Sequence, residues 1–316
     1  MADIGRDRVL NRFRATALVV LVALLGSGAF FAATATTKQK TFATPEQAVE
    51  SLMAAARAGS TSELLKILGP ASKRLISSGD AVADAQARSK FIAEYDEANR
   101  IEKDSDDRAL LSVGKDDWAF PFPIVKHGEG WRFDSAAGAE EILERRVGAN
   151  EFAAIEVCRE YVDAQREYAE QDRNHDGFIE YAQKFLSSPG KRDGLYWPTE
   201  PSEDESPIGP LMVKARGNGY STEASGRRTP YHGYFYRILK AQGPAARDGA
   251  YDYVLNGHMI AGFALVAFPA RYGVSGVMTF IVNHDGVVYQ KDLGARTDEI
   301  ASKMTHFDPD PSWKAL

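Results

Sequence analysis

The stretch Ile260-Ala261-Gly262-Phe263-Ala264-Leu265-Val266-Ala267-Phe268 carries no polar side chain at any position. A strand that is apolar on both faces must be covered on both faces, so this run predicts a central strand of a covered sheet. The dipeptide Asn256-Gly257 precedes the run and favours a tight hairpin with a strand at 251–255. We therefore expect the C-terminal part of the chain to be built around an antiparallel β-meander.

Further strands and their covering helices follow from patterns on either side of this run. Strands are predicted at 234–241, 276–282 and 287–291, the last two joined by the turn Asn283-His284-Asp285-Gly286. An amphipathic pattern predicts a helix at 149–170, and a shorter helix is expected at 179–186. These two helices are the predicted cover of the sheet.

The segment between the two predicted helices has the pattern of a calcium-binding EF-hand-like loop. It reads Asp172-Arg173-Asn174-His175-Asp176-Gly177-Phe178-Ile179-Glu180-Tyr181-Ala182-Gln183. Oxygen side chains stand at loop positions one, three and five, glycine allows the sharp turn at position six, and position seven offers a backbone carbonyl. The pattern predicts a structural calcium ion.

The end of the loop departs from the full pattern. Gln183 takes position twelve, where a bidentate glutamate is expected, and it can supply only one oxygen. Glu180 at position nine could coordinate through a water, and Asp193 could fold back to replace the missing carboxylate. The alternative interpretation is a solvated Asn/Asp/Gly turn without a metal. The predicted ligands are Asp172, Asn174, Asp176, Phe178, Glu180 and Gln183.

The N-terminal part of the chain predicts helices followed by a bent sheet. Thr44, Pro45 and Gln47 form a capping box that begins a helix, and Gly59 ends it. Further helices are expected at 61–68 and 87–95, followed by strands at 109–113, 118–125 and 131–134. Pro121 and Pro123 would bend the middle strand or keep it at an edge. This order of elements is similar to that of the cone-shaped NTF2-like domains.

The first 35 residues have the three parts of a secretory signal peptide. Four arginines precede an apolar run at 15–31 that ends in Ala33-Thr34-Ala35. We expect cleavage after Ala35, and the alternative is an uncleaved anchor. The predicted organisation is a signal peptide at 1–35, an N-terminal α+β domain at 36–148 and a C-terminal domain at 149–316. The prediction places the mature chain in the periplasm or outside the cell, without a membrane span.

The net charge and the cysteine content of the mature chain exclude some classes of partner and an internal disulfide. Removing residues 1–35 takes four Arg and two Asp from 38 basic and 44 acidic residues, which leaves 34 and 42 and a net charge of −8. Such an acidic chain is not expected to bind nucleic acid or an anionic membrane surface. With the single cysteine Cys158, no internal disulfide can form, and its apolar neighbours indicate a buried, unreactive thiol.

The sequence contains no recognisable pattern of catalytic residues. Gly273-Val274-Ser275-Gly276 lacks the closing glycine of a nucleophile elbow. The six histidines show no zinc-ligand spacing. His284 in a hairpin turn and His258 directly after one are interpreted as solvated turn residues. The Gly-, Pro- and Ser-rich region at 187–230 is expected to form long ordered loops of functional interest.

Several motifs together resemble a known protein family. They include Thr44-Pro45-Glu46-Gln47-Ala48, Asp193-Gly194-Leu195-Tyr196-Trp197-Pro198, Tyr231-His232-Gly233-Tyr234 and Gly276-Val277-Met278-Thr279-Phe280-Ile281-Val282-Asn283. On these motifs the chain resembles the bacterial exported proteins catalogued as Domain of Unknown Function 2950, from about Phe42 to Asp308. The resemblance implies an exported bacterial protein and brings no established activity.

The sequence therefore predicts an α+β protein with an export signal and a structural calcium site. The leading hypothesis is a non-enzymatic protein of the cell envelope that binds a partner, either a protein or a polymer, or assists assembly. The alternative is a hydrolase that acts on an envelope polymer with carboxylates from the loops at 187–230. Acid/base catalysis would require such carboxylates to meet in a cleft with raised pKa values.

Overall fold

Helices and mainly antiparallel sheets make up the computed structural model, which describes residues 38–199, 205–220 and 229–316. The fold class is α+β, as predicted. The predicted signal peptide at 1–35 lies outside the described residues. Among the residues that are described, no helix combines the length and the apolar character needed to cross a membrane.

The elements, in chain order within each class, have the following bounds. The helices are α1 Pro45–Arg57, α2 Thr61–Leu68, α3 Lys73–Ile76, α4 Ala81–Glu97, α5 Ala139–Tyr168, α6 Gly209–Gly217 and α7 Thr297–Lys303. The strands of the N-terminal half are β1 Asn99–Ser105, β2 Arg108–Val113, β3 Trp118–Ala119, β4 Ile124–His127 and β5 Gly130–Phe133. Those of the C-terminal half are β6 Tyr234–Leu239, β7 Ala241–Gln242, β8 Tyr251–Asp252, β9 Val254–Leu255, β10 His258–Met259, β11 Ala264–Pro269, β12 Met278–Asn283, β13 Tyr289–Asp292, β14 His306–Phe307 and β15 Lys314–Ala315.

The first helix begins at the predicted capping box, with one difference. The Thr44 hydroxyl accepts a hydrogen bond from the backbone N–H of Gln47 at 3.3 Å. The Gln47 side chain accepts in return from the N–H of Ala43, one residue before the expected position. Gly59 follows the helix with φ +63°, a left-handed conformation that glycine adopts without strain. The predicted start and end of this helix are confirmed.

The N-terminal sheet has the strand order β1-β2-β4-β5, and β3 pairs with β2. The predicted strand at 118–125 is split by the segment that contains Pro121 and Pro123 into β3 and β4. Strand β1 has no counterpart among the predictions. It is exposed along nearly its whole length and is rich in charge, so it lacks the apolar alternation that marks a half-buried strand.

The C-terminal sheet has the order β15-β13-β12-β11-β6, with the predicted apolar run at its centre. All six residues of β11 are buried, and β11 pairs with β12 on one side and β6 on the other. Helix α5 packs against β11 and β12, as predicted, and α7 also packs against β11. The expected central position of the apolar run is confirmed.

The prediction of a helix at 179–186 is wrong, because this segment is not helical. Its backbone groups bond to other parts of the structure. The buried side chain of Gln165 donates to the carbonyl of Ala182 and accepts from its N–H, both at 2.8 Å. The N–H of Tyr181 donates to the carbonyl of Met259 at 2.8 Å. These tertiary hydrogen bonds hold the segment in a non-helical conformation, against its local preference.

Helix α5 contributes to two separate hydrophobic cores. It begins at Ala139, ten residues before the predicted start at 149. Ala139, Ile142 and Leu143 pack against the core between α1, α2 and the N-terminal sheet. The part from Ala154 to Tyr168 belongs to the core of the C-terminal sheet. The predicted domain boundary between 148 and 149 falls inside this helix, and the division into two domains stays a prediction.

A buried carboxylate links the two halves of the chain. Asp80 is 1% exposed. Its Oδ1 accepts from the N–H groups of Val82 and Ala83 at 3.1 and 3.0 Å and so caps α4. Its Oδ2 accepts from the Tyr220 hydroxyl at 2.8 Å and from the Gly233 N–H at 3.0 Å. Burial, and then the hydrogen bond to Asp80, raise the pKa of the Tyr220 hydroxyl, so this group keeps the proton that it donates.

Replacing Asp80 by alanine should destabilise the protein strongly. The change removes the cap of α4 and leaves the buried Gly233 N–H and Tyr220 hydroxyl without an acceptor. We expect the free energy of unfolding to fall by about 3 kcal/mol, measured by urea denaturation.

The matched control is Asp106→Ala, at an exposed position with no hydrogen bond or ion pair among the described residues. This change should alter the free energy of unfolding by no more than about 0.5 kcal/mol. Equal losses in the two variants would contradict the role given to Asp80.

Candidate functional site

The predicted calcium loop follows α5 and is folded by its own side chains. The Asp172 carboxylate accepts from the N–H of Gly177 at 2.9 Å and from that of Asp176 at 3.2 Å. Backbone N–H donation, chiefly from Gly177, lowers the pKa of the Asp172 carboxyl. His175 and Gly177 adopt left-handed conformations with φ +59° and +92°. The turn that the glycine predicts is therefore present.

Three predicted ligands converge at the end of this turn. The side-chain amide of Asn174 lies 2.8 Å from Asp176 Oδ2 and 2.8 Å from Glu180 Oε1. The other Asp176 oxygen accepts from the N–H of Phe178 at 3.0 Å. The loop spacing therefore predicts correctly which two carboxylates and which amide lie together.

A histidine from a distant hairpin completes the cluster. His258 Nδ1 lies 3.2 Å from Glu180 Oε2 and 3.6 Å from Asp176 Oδ2. One ligand atom each of Asp176, Glu180 and His258 lie within 4.8 Å of one another. The His258 side chain is 23% exposed and stacks on Phe178, with ring centroids 3.9 Å apart. The interpretation of His258 as a solvated turn residue is wrong.

The hairpin is fixed to the loop by the same glutamate. Glu180 Oε2 also accepts from the N–H of Met259 at 3.2 Å, and the Glu180 side chain is only 10% exposed. The turn Asn256-Gly257 joins β9 to β10 with φ +53° and +92°, as an Asn-Gly turn requires. Glu180 therefore places His258 beside the loop.

Other predicted ligands have different partners. Gln183 donates to the carbonyl of Gly257 at 2.6 Å and accepts from Lys240 at 2.9 Å. Asp193 pairs with Lys184 at 2.7 Å and accepts from the N–H of Ser188. Burial raises the pKa of the Asp193 carboxyl, but the hydrogen bonds from Lys184 and Ser188 outweigh it, and the net shift is downward. Asp193 does not replace the missing carboxylate.

The cluster lines one side of a cavity of about 400 Å³. Asn174, Asp176, Glu180 and His258 line this cavity together with Gln183. The remaining lining residues are Tyr168, Tyr181, Ala182, Lys184, Asp193, Lys240 and Gly257. Asp172 and Phe178 are not among the lining residues. A cation held by the cluster would face an open space large enough for a small molecule.

The donor set fits a divalent cation. Carboxylate and amide oxygens are the ligands that calcium prefers, while an imidazole nitrogen together with carboxylates also suits zinc or manganese. His258 Nδ1 lies within 3.6 Å of a carboxylate oxygen of both Glu180 and Asp176. The Asn174 amide nitrogen donates to both carboxylates, and its oxygen accepts from the N–H of Asp176 at 3.2 Å. Asp176, Glu180 and His258 are therefore the residues that would hold the ion.

Two residue types that could act as nucleophiles have structural roles. Cys158 is fully buried, and burial raises the pKa of its thiol to about 12. The Ser275 hydroxyl donates to the carbonyl of Arg271 and accepts from its N–H, so it closes a turn. Neither group has the environment of an activated nucleophile.

Comparisons with known proteins give one match. A family profile described as "Protein of unknown function (DUF2950)" matches residues 39–316. The chain belongs to this family. Searches of curated proteins and of solved structures give no significant match. The NTF2-like resemblance therefore stays an expectation.

Replacing Glu180 by alanine should weaken the attachment of the loop to the hairpin even without a metal. The change leaves the N–H of Met259 without its side-chain acceptor and removes one of the two acceptors of the Asn174 amide. We expect the free energy of unfolding to fall by about 2 kcal/mol, measured by urea denaturation in the presence of a chelator.

The matched control is Glu170→Ala, at an exposed position with no side-chain partner in the described part of the chain. It should unfold like the wild type. If Glu180→Ala did so as well, the attachment would not depend on this carboxylate.

Proposed function

We propose that the protein is a non-enzymatic binding protein of the cell envelope and holds a divalent cation at Asp176, Glu180 and His258. The observation that carries the proposal is the meeting of three ligand atoms within 4.8 Å at the edge of a cavity. Two of the three residues come from a loop with the spacing of a calcium site. The cation would therefore join the loop to the β9–β10 hairpin.

The segment after the loop supports a stabilising role for the ion. In sensor proteins of the EF-hand type, calcium moves one helix relative to another. Here the segment at 179–186 is not helical and is bonded to Gln165 and Met259, so no second helix directly follows the loop. An ion at this place has no helix pair to open, and we propose that it stabilises the local structure.

Calcium is the proposed ion on the basis of the loop pattern, and His258 makes the choice testable. Calcium would use oxygen atoms of the loop, which include the carboxylates of Asp176 and Glu180. Zinc or manganese would also use the imidazole nitrogen of His258. His258→Gln should therefore leave calcium binding nearly unchanged and weaken the binding of zinc or manganese.

The role in the envelope is proposed from the sequence and from the form of the site. The cavity offers polar groups to a small ligand or to part of a partner. For the hydrolase alternative, Asp193 and Glu205 are the described acidic residues of the loops at 187–230, and Asp193 is paired with Lys184. Turnover of an envelope polymer that is lost in Asp193→Asn would favour the hydrolase instead.

A divalent cation should raise the melting temperature, because an ion that binds only the folded protein stabilises it by mass action. We expect Asp176→Ala to abolish the increase, measured by differential scanning calorimetry with calcium, manganese, zinc and magnesium in separate titrations. An ion at 100 times its dissociation constant would stabilise the wild type by about 2.7 kcal/mol.

The matched control is Asp163→Ala, which removes an exposed carboxylate from α5 outside the cluster. Its response to the cations should equal that of the wild type. Equal increases with every cation, retained in Asp176→Ala, would indicate general charge screening and would overturn the proposed site.

The export signal should be removed after Ala35. Protein recovered from the periplasm or the medium of an expressing bacterium should begin at Thr36 when its N-terminus is sequenced. Recovery in the membrane fraction with Arg6 still present would contradict cleavage and favour the uncleaved anchor.

A further inference from the structure

We propose that the cavity beside the cation cluster binds a small ligand through a carboxylate or phosphate group, which is held between the bound cation and Lys240. This inference rests on the proposed cation site. It goes beyond that site because it assigns the chemical class of the ligand.

The cluster offers too few ligands to fill the coordination shell of calcium or manganese. It supplies two carboxylates and one imidazole nitrogen. Calcium takes six to eight ligands, and manganese sites are commonly octahedral. Asp176, Glu180 and His258 line the cavity, so a ligand bound there would supply further donors to an ion held by these residues.

The cation would reverse the formal charge of the cavity. Three carboxylates, of Asp176, Glu180 and Asp193, and two ammonium groups, of Lys184 and Lys240, line it. The formal charge of these five groups is −1, and a divalent cation changes it to +1. An anion should therefore bind well only when the cation is present.

Lys240 is the cationic group in the cavity wall that is free to meet an anion. Lys184 is paired with Asp193 at 2.7 Å. Lys240 makes no ion pair with any described residue, and its ammonium donates to the neutral side chain of Gln183 at 2.9 Å. Gln183 is bonded in turn to the Gly257 carbonyl, which holds Lys240 next to the hairpin that carries His258.

The size of the cavity fits a small polar molecule. A volume of about 400 Å³ lies within the range of ligand pockets in proteins. Tyr168 and Tyr181 add aromatic surface to the wall, and the side chains of Asn174 and Gln183 add hydrogen-bonding groups. A sugar acid or a sugar phosphate combines the required anion with hydroxyl groups for these neighbours.

The test is isothermal titration calorimetry on the full mature chain with three matched probes. Glucuronate carries the carboxylate, glucose 6-phosphate carries the phosphate, and glucose lacks the anionic group. Each probe is titrated into protein saturated with calcium, into protein saturated with manganese and into chelator-treated protein. Each titration is repeated with Lys240→Gln and with Lys191→Gln, which removes an exposed lysine outside the cavity.

The inference predicts binding of at least one anionic probe to the cation-loaded protein, with glucose and the chelator-treated protein giving no binding. The preferred probe shows whether the ligand is a carboxylate or a phosphate. Lys240→Gln should weaken anion binding at least about tenfold and leave cation binding unchanged, while Lys191→Gln should bind like the wild type. The anion should strengthen cation binding by the same factor by which the cation strengthens anion binding.

Three kinds of outcome would overturn the inference, and they can be distinguished from one another. Cation binding without binding of either anion would overturn the ligand assignment and leave the proposed cation site intact. If the calorimetric titrations with the cations showed no cation binding, both the ligand assignment and the proposed cation site would be overturned. Anion binding that is equal with and without the cation, or equal in Lys240→Gln and wild type, would place the anion elsewhere and also overturn the assignment.

Discussion

A carboxylate that is removed from water must find hydrogen-bond donors, and Asp80 finds them in three separate segments. The N-terminus of α4, the residue Tyr220 after α6 and the residue Gly233 before β6 are therefore held at one point. Gly233 has φ +73°, and a Cβ atom there would lie 2.5 Å from the Asn150 side chain. The contacts of Gly233 therefore fix the start of β6. Strand β6 pairs with the central strand β11, and Lys240, which follows β6, lines the cavity.

Local sequence signals predicted the parts of the fold that depend on local interactions. The cap at Thr44, the left-handed glycine at position 59 and the Asn256-Gly257 turn act within a few residues, and each lies where the pattern indicates. The central apolar strand was also predictable, because burial on both faces leaves a continuous apolar run. Strand β1 was not, because an exposed edge strand carries no such pattern.

Long-range contacts account for what the sequence did not predict. The segment at 179–186 has a helical preference, and the buried side chain of Gln165 overrides it through two hydrogen bonds to Ala182. In the candidate site, the loop spacing predicted the convergence of Asn174, Asp176 and Glu180. Nothing in that spacing indicates His258, since its approach depends on how the β9–β10 hairpin packs. A histidine directly after an Asn-Gly turn was the one available signal.

The distance along the chain between Glu180 and His258 has a consequence for folding. The two residues are 78 positions apart, and their side chains meet at 3.2 Å. An ion bound by both would act as a cross-link over a long segment, a function that exported proteins commonly give to disulfides. This chain has a single cysteine and cannot form such a bond within itself. Its cross-link would then respond to chelators and to metal supply, and would be indifferent to the redox state of its surroundings.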